Sequence, residues 1–210
     1  MNNRPQMIRL LIGALLALPM IAVAVTWLGR DRIARATPVP QLPELGSVSN
    51  FSLVEASGKP VRLADLEGKV WIASFIFTHC AGSCPIMVHH LARLQSELPT
   101  RDDLRIVSVS VDPERDTPEV LAKYATSNGA DRTRLLFLTG DKQLIYRLAH
   151  EAFRLSVDDS AGTQDEPILH STKVVLVDRN GVVRGYYDGT DVETQRQLVR
   201  DVNRLLALRS

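Results

Sequence analysis

Residues 70–98, VWIASFIFTHCAGSCPIMVHHLARLQSEL, constrain the fold more than any other stretch, because the periodicity changes in their middle and both of the chain's cysteines sit at the change. Residues 70–78 are an almost unbroken apolar, β-branched and aromatic run, the pattern of a central strand covered on both faces. From Pro85 the spacing lengthens. Met87, Leu91, Leu94 and Leu98 recur three or four apart, with His90, Arg93, Gln95 and Glu97 between them, which predicts an amphipathic helix. Cys80 and Cys84 therefore stand where strand becomes helix. If Cys80 lies near the helix start, a spacing of four brings both sulfurs to one face, with Cβ atoms about 5–6 Å apart. The unpaired N–H groups and positive dipole end of the helix favour the thiolate that both metal binding and redox exchange need.

The remaining composition narrows the classes. A chain of 210 residues, 45% hydrophobic and 23% charged, is one ordinary globular domain with extras. Its net charge of +1, with no basic stripe interleaved with aromatics, gives no reason to expect nucleic acid as a partner. One C-x-x-x-C pair can be neither a disulfide framework nor a four-thiolate zinc site.

Residues 10–29, LLIGALLALPMIAVAVTWLG, contain no charge and as a helix span about 30 Å, the thickness of the hydrocarbon core. Pro19 is tolerable there as a kink and Trp27 suits an interface. A cleaved signal peptide is the rival reading, since Arg4 and Arg9 precede the run and Ala34-Arg35-Ala36 has a small-x-small form; the length favours an anchor, because signal h-regions run to about 7–15 residues. A short tail (1–9) before the anchor and a large domain after it predict an inside N-terminus. The domain then lies on the periplasmic side of a bacterial inner membrane. Residues 30–45 form a linker, whose segment 37–45, TPVPQLPEL, has the prolines of an extended spacer.

The folded domain is expected over 46–210. Residues 51–54 and 61–63 predict a small hairpin beside the main sheet. Residues 104–111, LRIVSVSV, form a second buried strand stopped by Asp112-Pro113. Thr117 caps a helix opened by Pro118 and Glu119, residues 135–138 form a short strand, and Asp141 caps a helix over about 142–152. Residues 156–169 are long, acidic and aperiodic, and lead to His170. Strands over 172–177 and 182–187 flank an Asn180-Gly181 turn, and an amphipathic helix over 192–208 closes the chain. This order matches an α/β thioredoxin-like sheet flanked by helices, with an added N-terminal hairpin and one transmembrane helix before it.

The cysteine pair has two sharp readings, thiolates on a soft ion or a redox dithiol, and a bland one, structural burial. Thiol oxidoreductases on this scaffold use C-x-x-C; here one more residue intervenes, which suits a metal claw better than a switch without forbidding a disulfide. Two thiolates leave an ion under-coordinated. His170 stands two residues before the first strand of the C-terminal hairpin, where a thioredoxin-like core abuts the active-site helix, and it is the expected third donor. Such a Cys2His set suits copper: thiolates select Cu(I), and imidazole accepts Cu(II) too. His79, His89, His90 and His150 are read as loop or helix-surface residues, and Met87 as core. Asp112, in the loop after a parallel strand on the cysteine edge, is read either as a turn former or as a residue near the metal or a partner. Asp116 is read as a turn or capping residue.

Phe77-Thr-His-Cys80-Ala-Gly-Ser-Cys84-Pro85, Val109-Ser-Val-Asp112-Pro-Glu-Arg-Asp116-Thr-Pro118 and His170-Ser-Thr before an apolar strand together resemble the Sco/SenC proteins over residues 45–208. The resemblance implies a membrane-anchored, thioredoxin-like copper chaperone that serves the dinuclear copper centre of cytochrome c oxidase subunit II. It implies Cys80, Cys84 and His170 as copper ligands, with Asp112 matching a family aspartate near the site, and a copper donor that the sequence does not identify. The alternative is a thiol-disulfide reductase that keeps the oxidase's copper-site cysteines reduced, with Cys80 attacking and Cys84 resolving.

Overall fold

The strand that the sequence places at the centre is buried along its whole length: β4 (Val70–Ile76) has no residue open to solvent. It belongs to a computed structural model that describes residues 41–80, 82–158 and 168–208, with 20, 23 and 24 apart from these, and of Leu169 and His170 the backbone only. Residues Leu42–Ser210 make one compact unit. The membrane segment expected over 10–29 falls almost wholly outside the described residues, and among those described no helix is long and apolar enough to cross a membrane.

Burial of both faces follows from the neighbours of β4. It pairs in parallel with β5 (Leu104–Ser110) through seven matched positions and antiparallel with β9 (Lys173–Val177). β5 pairs in parallel with β6 (Leu135–Thr139). The hairpin of β2 (Ser52–Glu55) and β3 (Pro60–Arg62) joins the main sheet, because β2 pairs antiparallel with β6. On the other side β10 (Val182–Asp188) pairs with β9, and β1 (Gly46–Ser47) closes that edge. The order is β1-β10-β9-β4-β5-β6-β2-β3. Its mixed directions and flanking helices make the thioredoxin-like arrangement expected from the sequence. Gly181, at φ +73, supplies the left-handed residue that the Asn-Gly turn between β9 and β10 requires.

Two successive parallel steps in one direction, β4 to β5 and β5 to β6, put their connecting helices on the same face, since such crossovers are right-handed. These are α1 (Ser83–Glu97) and α2 (Pro118–Ser127). Gln95 of α1 bonds the backbone of Asp131 through both ends of its amide, at 2.8 and 3.1 Å, which fixes the distal end of α1 against the chain after α2. The predicted caps are in place: Thr117 accepts from the Val120 N–H and Asp141 from that of Leu144.

Three segments differ from the sequence expectation. The helix expected over 142–152 is α-helical only as α3 (Lys142–Arg147) and continues as a π-helical turn, Leu148–Ala152. That turn delivers Phe153 edge-on to Trp71 and Phe75, with ring centroids 5.9 and 5.5 Å apart. The stretch read as an aperiodic loop contains β7 (Val157–Asp158), paired with β8 (Leu169–His170) in a two-stranded sheet of its own. Within the expected spacer, Leu42 accepts a bond from Arg184 and Leu45 donates one to Val183, so the chain is already docked on β10 there. The last helix, α4 (Val192–Ala207), is capped by Asp191.

Candidate metal centre

The cysteine joint is built by β4 running off the sheet into α1. Cys80 lies in the loop, three residues before the helix begins at Ser83, and Cys84 lies in its first turn. The two sulfurs therefore do not share one helical face, as their spacing alone suggests. One comes from the loop and the other from the helix. Neither forms a disulfide, and both are buried, Cys80 at 5% and Cys84 at 0% exposure. Among the described residues no side chain caps the start of α1, and its first turn holds no acid. Its positive dipole end therefore faces the thiol region without an internal counter-charge.

Asp116 sets the position of that loop. Its carboxylate is wholly buried and accepts three hydrogen bonds: from the Thr78 backbone N–H at 3.0 Å, from the Thr78 hydroxyl at 2.5 Å and from the Ser110 hydroxyl at 2.5 Å. The loop leaving β4 is thereby tied to the end of β5, two residues before Cys80. A second buried tie, Ser74 to Ser108 at 2.8 Å, joins the same strands lower down. Asp116 thus does more than form a turn.

Asp112 is buried, with its N–H bonded to the Ser110 hydroxyl and its carboxylate 3.1 Å from the exposed guanidinium of Arg115. It shares Ser110 with Asp116, which links it to the cysteine loop at one remove.

His170 lies in β8, opposite Val157. Two residues on, the Thr172 carbonyl accepts the Gly189 N–H at 2.9 Å. A Cβ added at Gly189 would stand 2.7 Å from Cγ and Sδ of Met87 and 2.9 Å from that carbonyl. Met87 is one turn beyond Cys84, so the segment following His170 packs against the start of the cysteine helix with only glycine between them. Among the described residues no three His, Cys, Asp or Glu side chains group as a metal site.

Of the other histidines, His79 and His89 are exposed. His79 contacts the Thr78 hydroxyl through Nδ1 at 3.1 Å. His90, read as helix surface, is half-buried, with Nδ1 3.1 Å from the Gly189 carbonyl and 2.5 Å from the Gln195 amide. It ties α1 to the loop before α4. His150 reaches the Val157 carbonyl through Nε2 at 3.0 Å, directly behind the pair that holds His170.

One residue of this neighbourhood carries no motif. Tyr124 of α2 packs edge-on against Phe137, ring centroids 6.2 Å apart, and its hydroxyl is shielded from solvent with no hydrogen-bond partner among the described residues. Burial first, and then the negative charge available on Cys84, Cys80 and Asp116, holds its phenol well above the ordinary range. In the sequence it is one more apolar position of an amphipathic helix.

Comparison with known proteins places these features in context. The SCO1/SenC family profile matches residues 41–207. The chain is 36% identical over 157 residues to the SCO1 protein homologue of Bacillus subtilis, covering 74% of this chain and 80% of the relative. Its fold superposes with TM-score 0.71 and 33% identity on BsSco, a member of the Sco family of cytochrome c oxidase assembly proteins in which a disulfide switch was identified, over 81% of this chain and 100% of that one. It superposes with TM-score 0.63 and 27% identity on Arabidopsis thaliana ScoI with copper bound, over 76% and 99%.

Proposed function

Because the chain belongs to the SCO1/SenC family, we propose that it binds copper through Cys80, Cys84 and His170. It delivers the ion to the dinuclear copper centre of cytochrome c oxidase subunit II. The observation that carries this reading is the pair of buried thiols, one on the loop and one in the first turn of α1, in a fold shared with a copper-bound ScoI. Thiolates are soft donors and select Cu(I), and an imidazole completes a set that also tolerates Cu(II). The tight contact of Gly189 with Met87 and Thr172 supports His170 as that imidazole, because it brings the His170 segment to the cysteine helix.

Copper is cargo here, so release matters as much as affinity. Three donors leave room for a partner thiolate to enter before the ion departs. Oxidation of Cys80 and Cys84 to a disulfide would remove two of the three donors at once, and so the thiol redox state gates loading. The same chemistry underlies the second reading, favoured by the resemblance to a protein with a disulfide switch: Cys80 attacks a disulfide of the oxidase copper site and Cys84 resolves the mixed disulfide. In both readings residues 10–29 anchor the protein in the bacterial inner membrane, residues 30–45 link them to the domain, and the domain over 46–210 works in the periplasm. Asp112 lies near the metal or the docking partner.

The deciding experiment is titration of the reduced full chain with Cu(I) against a competing chelator, for the parent and His170→Ala side by side. The expected result is one tight site per chain that weakens about tenfold or more in the variant, a difference of about 1.4 kcal/mol. Weak binding indifferent to His170 would count against the chaperone and direct the same sample to a disulfide-reduction assay.

A further inference from the structure

Phe153 is locked against Trp71 and Phe75, and the residue after it takes a conformation that side chains avoid. Arg154, at φ +51, is the one non-glycine residue in the left-handed region among those described. The Leu155 N–H closes the π-helical turn on the Ala149 carbonyl at 2.9 Å, an ending in which the left-handed position ordinarily falls to glycine. What the position gains from arginine therefore lies in the side chain. That side chain is exposed and forms no ion pair or hydrogen bond among the described residues. Its guanidinium reaches to 4.0 Å from where a Cβ on Gly46 would stand.

Arg154 lines an open recess of about 350 Å³, the size of a small-ligand site. Lys173 lines it too, and Leu45, Leu155 and Tyr186 give it an apolar side. Among the described residues no carboxylate does so. Glu44, beside Leu45 in sequence, is paired with Arg184 at 3.2 Å, and Lys173 has Asp188 at 3.4 Å, which leaves the guanidinium as the unmatched charge. The Tyr186 hydroxyl is likewise without a hydrogen-bond partner among the described residues. The recess adjoins the candidate metal centre. Ser171, in its wall, directly follows His170, donates its N–H to the Ser156 carbonyl at 3.1 Å and accepts the Lys173 N–H on its hydroxyl at 3.2 Å.

We propose that this recess docks an acidic side chain of the protein that receives copper, the partner's identity resting on the delivery reading above. Arg154 grips the carboxylate, Lys173 steadies it, and apolar neighbours of the acidic residue lie on Leu45 and Leu155. A guanidinium presents paired N–H donors that match a carboxylate. The apolar side of the recess suits the stem and neighbours of a peptide side chain better than a bare inorganic anion. Because the wall holds the residue after His170, docking here sets the partner beside a ligand that must release the ion, and the unmatched cation draws an acidic partner to it.

The test uses Arg154→Gly, which removes the charge at a position whose backbone suits glycine and so keeps the fold. In the first arm the isotope-labelled full chain, in a neutral detergent, is titrated with acetyl-Leu-Glu-Leu-amide, with its glutamine counterpart and with dihexanoyl-phosphatidylglycerol. The glutamate peptide is expected to shift the amide resonances of Leu155, Ser156 and Lys173, binding about fivefold more weakly when either its carboxylate or Arg154 is removed. Equal shifts in the two chains, or with the two peptides, would overturn the proposal. So would a lipid that moves these resonances at lower concentration than the glutamate peptide, since the recess would then belong to a phosphate headgroup. In the second arm the copper domain of oxidase subunit II is titrated with each copper-loaded chain. The variant is expected to bind it about fivefold more weakly, with the gap narrowing as salt rises. Subunit II that binds both chains alike would overturn docking in this recess. Subunit II that binds neither, while the glutamate peptide still tells them apart, would sink the delivery reading and leave the carboxylate pocket standing.

Discussion

Asp116 holds Thr78 at two points, one carboxylate oxygen accepting the backbone N–H at 3.0 Å and the other the hydroxyl at 2.5 Å. Because Thr78 is two residues from Cys80, the position of the loop sulfur depends on a carboxylate 38 residues further along the chain. Asp116→Ala leaves these donors and the buried Ser110 hydroxyl without an acceptor. At about 1–3 kcal/mol for each orphaned group, the expected loss is about 3 kcal/mol or more. Chemical denaturation measures it, and alkylation of Cys80 under native conditions reads the loop directly. Stability that falls while Cys80 reacts at the parent rate would show that Asp116 supports the sheet but does not position the thiol.

The other side of the joint is held by steric fit. Gly189→Ala places a Cβ 2.7 Å from the Met87 side chain and 2.9 Å from the Thr172 carbonyl. Met87 can turn away, but the carbonyl is backbone and accepts the Gly189 N–H. The variant is expected to lose about 1–3 kcal/mol of stability, the usual cost of overpacking, and to bind Cu(I) more weakly as the His170 segment is pushed off α1. Shortening Met87 to Ala in the same chain should recover part of the stability and little of the affinity. Full recovery of both would place the strain in the side chain alone and disconnect Gly189 from the His170 segment.

The parts of this centre that were legible in the sequence are those written locally. The change of period at Cys80 to Cys84 located the joint; Thr117 with Pro118, Asp141 and the Asn180-Gly181 pair marked caps and a turn that the fold contains. What escaped were relations made by strands lying side by side. Asp116 looks like a turn former until β4 and β5 are paired, and only then are Thr78 and Ser110 within its reach. The β7–β8 pair joins residues 11 to 13 apart through an acidic stretch without alternation, so nothing local announces it. The π-helical turn is similar: Phe153 takes its place because Trp71 and Phe75 are there to receive it. Tyr124 was invisible for the opposite reason, since its period fits the core and only its hydroxyl does not.

Acid should weaken the end of the domain remote from the cysteines. Asp103 is bonded to Arg101 at 2.6 Å and to Arg179 at 2.9 Å, and Arg179 also reaches the Leu205 and Leu208 carbonyls at the end of α4. The Arg101 hydrogen bond, joined by that of Arg179, holds the Asp103 carboxyl far below the usual carboxylate range. A depressed folded-state pKa means that this stabilisation is fully present above the unfolded value of about 3.9 and is lost as pH falls below it. Since the pair is partly open to solvent, its worth is about 1 kcal/mol or less. Asp103→Asn should therefore be slightly less stable than the parent at neutral pH, and the gap should close as pH drops below about 4. A gap that widens on acidification would reverse the sign and refute the assignment.

The two sulfurs should differ in reactivity even though both are buried. Cys80 sits in the loop between exposed His79 and exposed Gly82, whereas Cys84 is enclosed in the first turn of α1. Exposing Cys80 needs only a local displacement of a short loop, but exposing Cys84 needs the first turn of a packed helix to open, and local openings grow rarer with the contacts they break. Iodoacetamide under native conditions, followed by peptide mass spectrometry, should label Cys80 well before Cys84. Cu(I) added first should protect both to the same extent, because each is a ligand. Early labelling of Cys84 would contradict the burial order and the assignment of Cys80 as attacking thiol, while protection of Cys80 alone would remove Cys84 from the ligand set.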